Sequence, residues 1–289
     1  MSLILNKKRG STRPLWLIIV LIFISIIMIY LNRNNVFRYN FYIKINYKSK
    51  YPYIAVIVDD RAIESVVNTV NNVIEHIPVD WKVQIITPYE NWSFYNKSSL
   101  NQYINSDRIL LTDLEQKSNG LASDKYINSI LTSSSFWHKV YGDKVLLFQI
   151  DAVLCSNSSY NINDFLQYDF VGAPWVGGGC CNGGLSLRTR SKILQMLENK
   201  RFRFPVNQIN EDGWFTDNLP YFNGRVAPIS IAKKFSVESI YHPRPFGVHK
   251  PHTNTIGSYN MNRLCNECPE VSALVPSCKT NMKVSNSTS

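Results

Sequence analysis

The chain has 289 residues, 45% hydrophobic and 12% aromatic, which is the make-up of a folded protein with room for a large core and excludes a disordered segment. Its net charge of +10 sits at one end: residues 1–50 hold nine Lys or Arg and no acid, leaving 22 basic against 21 acidic residues over 51–289. A main body so close to neutrality excludes nucleic acid as a partner.

Residues 1–13, with Lys7, Lys8, Arg9 and Arg13, read as a short cytoplasmic tail. Pro14 to Leu31 (PLWLIIVLIFISIIMIYL) carries no charge, and its length approaches what a ~30 Å hydrocarbon core requires. A cleaved signal peptide is the competing reading. The apolar run is long for one, however, and the following YLNRNNVF lacks a small-residue cleavage pattern, so 14–31 reads as an uncleaved transmembrane anchor. Arg33, Arg38, Lys44, Lys48 and Lys50 on the far side weaken the positive-inside signal. Orientation rests instead on four N-x-S/T sequons at Asn91, Asn96, Asn157 and Asn286, and on six cysteines, all downstream of the anchor. The expectation is a single-pass type II protein of the Golgi or endoplasmic reticulum with its bulk in the lumen.

Residues 32–50 are polar and basic without period and suit a stem. YIAVIVDD (53–60) is a continuous apolar run ending in two acids, which predicts a buried strand. Ile63, Val66, Val67, Val70, Val73, Ile74 and Ile77 then form a helical stripe. WKVQIIT (81–87) and RILLT (108–112) predict two further strands, 123–140 a helical stretch, and KVLLFQID (144–151) another buried strand ending in an acid. Strands alternating with helices predict an α/β fold, a mostly parallel sheet with flanking helices. In such sheets ligands bind beyond the carboxyl ends of the strands, where Asp59, Asp60 and Asp151 fall.

VGGGCCNGGLSLRTR (176–190) packs five glycines into eight positions, a density that marks tight turns or close approach to another backbone or a ligand. A phosphate-gripping loop would need a following G-K-[ST], which is absent. LSLRTR reads as a short strand turning into a helix. Residues 253–289 read as a polar, loop-rich tail pinned by cysteines. Cys265-x-x-Cys268 with Cys278 lacks a histidine at finger spacing, so disulfides are favoured over zinc. Six cysteines allow fifteen pairings. Adjacent Cys180 and Cys181 read as a structural link to the tail.

Three positions carry candidate chemistry. Asp151 ends the apolar run VLLFQI, where a carboxylate is costly to bury without a partner; capping the following turn is the simpler role. Glu211-Asp212 in NEDGWFTDNL lies at a helix start, where the macrodipole favours acids whatever else they do. His249 in RPFGVHKPH follows a Pro/Gly turn, where a lone histidine is most often a surface residue. Each is weak alone, and their order and spacing are stronger.

YDFVGAPW (168–175), NGGLSLR (182–188), NEDGWF (210–215), AKKFSVES (232–239) and FGVHKP (246–251) resemble, as an ordered set, the motif series of an uncharacterised domain family, domain of unknown function 5672. That family is itself similar to A-type glycosyltransferases, and the resemblance spans roughly Tyr51 to His252. It implies a Rossmann-like, mixed and mostly parallel sheet in a catalytic domain over 51–252. It also implies a nucleotide-sugar donor and a glycan or glycoprotein acceptor. Gln149-Ile150-Asp151 matches the acidic metal motif and His249 the late metal-binding histidine, so Asp151 and His249 are expected to hold Mn2+ or Mg2+. Glu211-Asp212 matches the pair supplying the general base, with Asp212 favoured. Asp59, Asp60, Arg61, Gln149, Trp175, Asn182, Gly183, Gly184, Ser186 and Arg188 are the expected substrate-binding residues, the glycines letting the backbone approach a sugar. One departure stands out: Gln149 replaces the first carboxylate of the metal motif, which predicts weaker metal binding. An inactive glycan-binding domain would keep the glycine loop and lose the acids. A membrane-bound metal-dependent hydrolase would need more clustered ligands than the sequence offers.

Overall fold

The structure, a computed structural model, describes residues 20, 22–26, 47–115, 123–205 and 210–278. Two units are distinguished, Met1–Ile45 and Asn46–Ser289. In the first, residues 20 and 22–26 are helical with exposed apolar side chains. The expected anchor over 14–31 and stem over 32–50 fall largely outside the described residues. Among the described residues no helix is long and apolar enough to cross a membrane.

The second unit is built on a six-stranded sheet. Its strands are β1 (Tyr51–Val58), β2 (Lys82–Thr87), β3 (Ile109–Asp113), β4 (Gly142–Phe148), β6 (Phe170–Pro174) and β7 (Cys180–Thr189), in the order β3-β2-β1-β4-β7-β6. The first four are mutually parallel, whereas β7 runs antiparallel to both β4 and β6. Ile54 to Ile57 are buried without alternation, as a central strand covered on both faces requires. The helix Glu64–His76 turns Val66, Val67, Val70 and Val73 inward, the stripe expected from the sequence. The expected helical stretch over 123–140 is two helices, Ser123–Leu131 and Ser134–Lys139. LSLRTR behaves as read: β7 ends at Thr189 and the helix Arg190–Leu197 follows.

A second sheet of three short strands, β5 (Ala152–Leu154), β8 (Ser236–Val237) and β9 (Gly247–His249), has the order β5-β9-β8. Its far side is covered by residues read from the sequence as a loop-rich tail. They are helical instead, over Thr253–Ile256 and Ser258–Glu267, followed by a 3-10 turn Pro269–Ala273. Ile256, Met261, Leu264 and Val271 bury against Val153, Val237 and Val248. Sparse apolar residues at helical spacing suffice there because disulfides supplement the small core. Cys155 pairs with Cys268 and Cys265 with Cys278. A link of this kind contributes about 2–4 kcal/mol by restricting the unfolded chain. Cys180 and Cys181 pair with each other, correcting the expected link to the tail, whose cysteines are taken up by Cys155–Cys268 and Cys265–Cys278.

Candidate active site

The parallel strands end on one edge, and the antiparallel β7 begins there. Gln149, just past β4, donates its backbone N–H to the Gly184 carbonyl at 2.9 Å. The small sheet delivers three more residues to the same place. Antiparallel pairing sets Ala152 opposite His249, so Asp151 flanks His249. Parallel pairing of Val237 with Val248 brings Glu238 level with His249 from the other side. The helix Glu211–Asn218 points its first turn at the same edge, and the helix Ser123–Leu131 closes it with Ile127 and Asn128. The result is a cleft of about 460 Å³ lined by Gln149, Asp151, Asn182, Gly183, Gly184, Asn210, Glu211, Asp212, Glu238, His249 and Lys250, besides Ile127 and Asn128.

Glu211 and Asp212 are adjacent in sequence and differ in setting. Glu211 receives both terminal nitrogens of Arg188, at 3.0 and 3.1 Å. Arg188 is fully buried; its Nε donates to Ser186 Oγ at 2.9 Å and its guanidinium stacks on Phe170 at 4.5 Å. Ser186 and Arg188 therefore form an internal strut under the cleft and do not line it. Asp212 faces the cleft, its Oδ2 accepting the Gly183 N–H at 2.9 Å and its Oδ1 the Gly213 N–H at 2.7 Å. Burial raises the Asp212 carboxyl above the ordinary aspartate value, against the pull of Arg188 and of those two N–H groups.

His249 is 4% exposed, and both of its ring nitrogens are buried without a hydrogen-bond partner. Nε2 lies 3.3 Å from Asp151 Oδ1 and Nδ1 lies 3.7 Å from Glu238 Oε1. Burial favours the neutral form of Asp151, but the contact with His249 outweighs it, and the carboxyl lies below its ordinary value. The Glu238 carboxyl is raised, first by burial and further by repulsion from Asp212 and Asp151. The glycines belong to this packing. A Cβ on Gly184 would collide with the His249 imidazole, and one on Gly183 with Arg188 and Glu211. Gly177, Gly178 and Gly179 instead hold φ of +92°, +101° and +89° in a turn, the first two with open space around them.

The remaining expected residues lie elsewhere. Asp59 is engaged by Arg61, Nε to Oδ1 at 2.8 Å and Nη2 to Oδ2 at 2.7 Å. Asp59, Asp60 and Arg61 occupy the same sheet edge but do not line the cleft, and neither does Trp175. Glu238, Lys250, Asn210 and Asn128 line it without having been singled out. Glu238 stood inside the quoted AKKFSVES segment, Lys250 inside FGVHKP and Asn210 at the head of NEDGWF, and those segments were the signals available in the sequence. Asn128 carried none: its Oδ1 accepts the Glu211 N–H at 3.2 Å across the fold. Among the described residues, Cys155, Cys268 and Glu270 bring potential ligand atoms together, but the two sulfurs are joined as a disulfide and are not thiolates.

Asp151 and His249 fit a divalent cation. A buried imidazole nitrogen without a partner, facing a carboxylate oxygen, is a borderline and a hard ligand side by side.

Residues 110–249 match the model of a family described as a protein of unknown function (DUF5672), the family that the motif series resembles. No curated protein matches the chain in sequence. Among solved structures it is similar to the glycosyltransferase GlyE of Streptococcus pneumoniae TIGR4, with 13% identity and TM-score 0.45 over 71% of this chain and 56% of that one. It is similar to S. aureus TarS in complex with UDP-GlcNAc, with 13% identity and TM-score 0.38 over 60% and 55%. It is also similar to the mannosyltransferase PcManGT of Pyrobaculum calidifontis in complex with GDP-Man and Mn2+, with 11% identity and TM-score 0.45 over 83% and 76%. The chain spans little more than half of the pneumococcal chain and of residues 1–349 of the staphylococcal protein, and 40% of the longer staphylococcal chain.

Proposed function

We propose that this chain is a membrane-anchored, nucleotide-sugar-dependent glycosyltransferase that moves a sugar to a hydroxyl of a glycan or glycoprotein. The observation that carries the proposal is the meeting of Asp212 with the Asp151–His249 pair in one cleft. Its two halves suit the two ends of such a reaction.

Asp212 takes the acceptor end. Its carboxylate is held by two backbone N–H groups, and its raised proton affinity suits a base working nearer neutrality. The acceptor oxygen gains its bond to the anomeric carbon as the bond to the diphosphate breaks, and the hydroxyl proton passes to Asp212. Asp151 and His249 take the donor end and would hold Mn2+ or Mg2+. Such an ion supplies charge compensation for the diphosphate leaving group. With Glu211 neutralised by Arg188, Asp151, Asp212 and Glu238 still outnumber Lys250 in the cleft lining, so a diphosphate donor there calls for a cation. Gln149, Asn182 and Asn210 supply neutral donors and acceptors suited to sugar hydroxyls. The apolar run over 14–31 would anchor the chain with this domain in the lumen.

The test is to incubate the purified full chain with a panel of nucleotide sugars and score nucleotide release and sugar transfer, with Asp212→Asn alongside. Turnover of one donor, abolished in the variant, supports the reading. A second reading rests on the two backbone bonds to Asp212, which alone account for a buried aspartate at a helix start. On that reading the cleft binds glycans without turnover, and the same panel gives binding but no release.

A further inference from the structure

We infer that Glu238 is a positioning residue for His249, fixing which ring nitrogen carries the proton and so leaving Nε2 available to a cation. The inference rests on the reading of Asp151 and His249 as a cation site. Glu238 is nearly buried, just beyond β8, with Oε1 3.7 Å from His249 Nδ1. Asp151 stands at the other nitrogen, 3.3 Å from Nε2. The two carboxylates thus address opposite nitrogens of one ring. Glu238 therefore acts through His249 and is not itself a ligand of the same ion.

A buried imidazole between two carboxylates needs a reason to present one nitrogen bare. With the proton on Nδ1 facing Glu238, the Nε2 lone pair points at Asp151, where a cation gives both groups a partner. With the proton on Nε2, the bare lone pair is that of Nδ1 and faces Glu238, and the side toward Asp151 has no nitrogen to offer a metal. A carboxylate behind a ligating histidine fixes its tautomer and orientation, and losing it typically weakens metal binding about 10–100-fold. Asn182 holds Glu238 in turn, its Nδ2 donating to Oε1 at 3.3 Å. Gly184 packs against the imidazole, so the ring has no room to swing away.

The test measures Mn2+ binding to the full chain in detergent, by the electron paramagnetic resonance signal of free Mn2+, for the wild type, Glu238→Gln and His249→Ala. Expected are a measurable wild-type affinity, one about 10–100-fold weaker in Glu238→Gln, and none in His249→Ala, with cation-free melting of Glu238→Gln near wild type. Equal affinity in Glu238→Gln and wild type overturns the positioning role while leaving the cation site standing. No wild-type binding overturns the cation site and this inference with it. Should Glu238→Gln fail to fold, the 15N chemical shifts of labelled histidine in the wild type decide. Protonated Nδ1 with bare Nε2 supports the inference, and the opposite tautomer overturns it.

Discussion

Arg188 and Glu211 are joined inside the protein by two parallel hydrogen bonds of 3.1 and 3.0 Å, and this pairing is what separates the roles of two adjacent acids. Each neutralises the other's charge, with Ser186 and Phe170 completing the surroundings of the guanidinium. Asp212, one residue on, is left to the cleft.

Glu211→Gln leaves a buried guanidinium without its counter-charge, and breaking a buried pair from one side costs about 3–5 kcal/mol. Urea unfolding should show that loss, while transfer per folded molecule stays within a few-fold of wild type. A variant of full stability and no transfer would move the base from Asp212 to Glu211.

Asp212→Asn keeps the shape but cannot accept from both Gly183 and Gly213, which costs about 1 kcal/mol. Melting should fall by only a few degrees while transfer drops ~10²–10⁴-fold, the usual effect of losing a general base. Unchanged transfer removes Asp212 from the chemistry.

The raised Asp212 carboxyl gives a pH expectation. Activity needs the ionised form, so kcat/KM should rise with pH along a limb lying above the ordinary aspartate value of ~3.9. The same group binds its proton more tightly in the folded chain than in the unfolded one. Its contribution to stability is therefore full at low pH and is lost as pH rises through the folded value. A pH–rate limb at or below the ordinary value counts against the assignment.

Chelation should abolish donor turnover and Mn2+ restore it, with Asp151→Asn and His249→Ala insensitive to the restoration. Full turnover in excess chelator removes the cation from the proposal and leaves the base assignment to stand alone.

Two glycine substitutions separate packing from backbone conformation. Gly184→Ala forces the His249 ring to move, overpacking a buried site at a cost of about 1–3 kcal/mol, and should impair cation binding as well. Gly178→Ala meets open space and bears only its φ of +101°, about 1–3 kcal/mol of backbone strain. Cation affinity should fall in the first alone. Equal affinities would mean that His249 is not held by Gly184.

The anchor reading predicts that the protein resists carbonate extraction and shifts in mobility on deglycosylation. Asn96 and Asn157 are exposed, whereas the Asn91 amide donates to the Asp60 carbonyl and Thr87 Oγ1, both at 3.0 Å. Removing Asn96 or Asn157 should therefore reduce the shift and removing Asn91 should not. A soluble chain beginning near residue 32 would mean a cleaved signal peptide instead.

The alternation of apolar runs with a helical stripe was enough to predict the parallel half of the sheet, because burial on both faces writes itself as unbroken hydrophobicity in YIAVIV and KVLLF. The same local rules misread residues 253–278. Their helices hold few apolar residues, and the core they cover comes from Val153, Val237 and Val248 elsewhere in the chain, tied by disulfides. Asp151, Asp212 and His249 could be singled out in the sequence by their order within a motif series. Their meeting depends on the pairing of Ala152 with His249 and on the Gly183 N–H that holds Asp212, which no local pattern encodes. Glu238 lies inside the quoted AKKFSVES segment, but nothing there sets it apart: it is one acid after a two-residue strand. The glycines show the same division. Their density announced a close approach, but only the packed structure shows what approaches: Arg188 and Glu211 at Gly183, and the His249 ring at Gly184. Local sequence sets which backbone conformations and burial patterns are cheap. Which charged side chains end up sharing a cleft is decided by contacts between segments far apart in the chain, and these exist only once the sheets have formed.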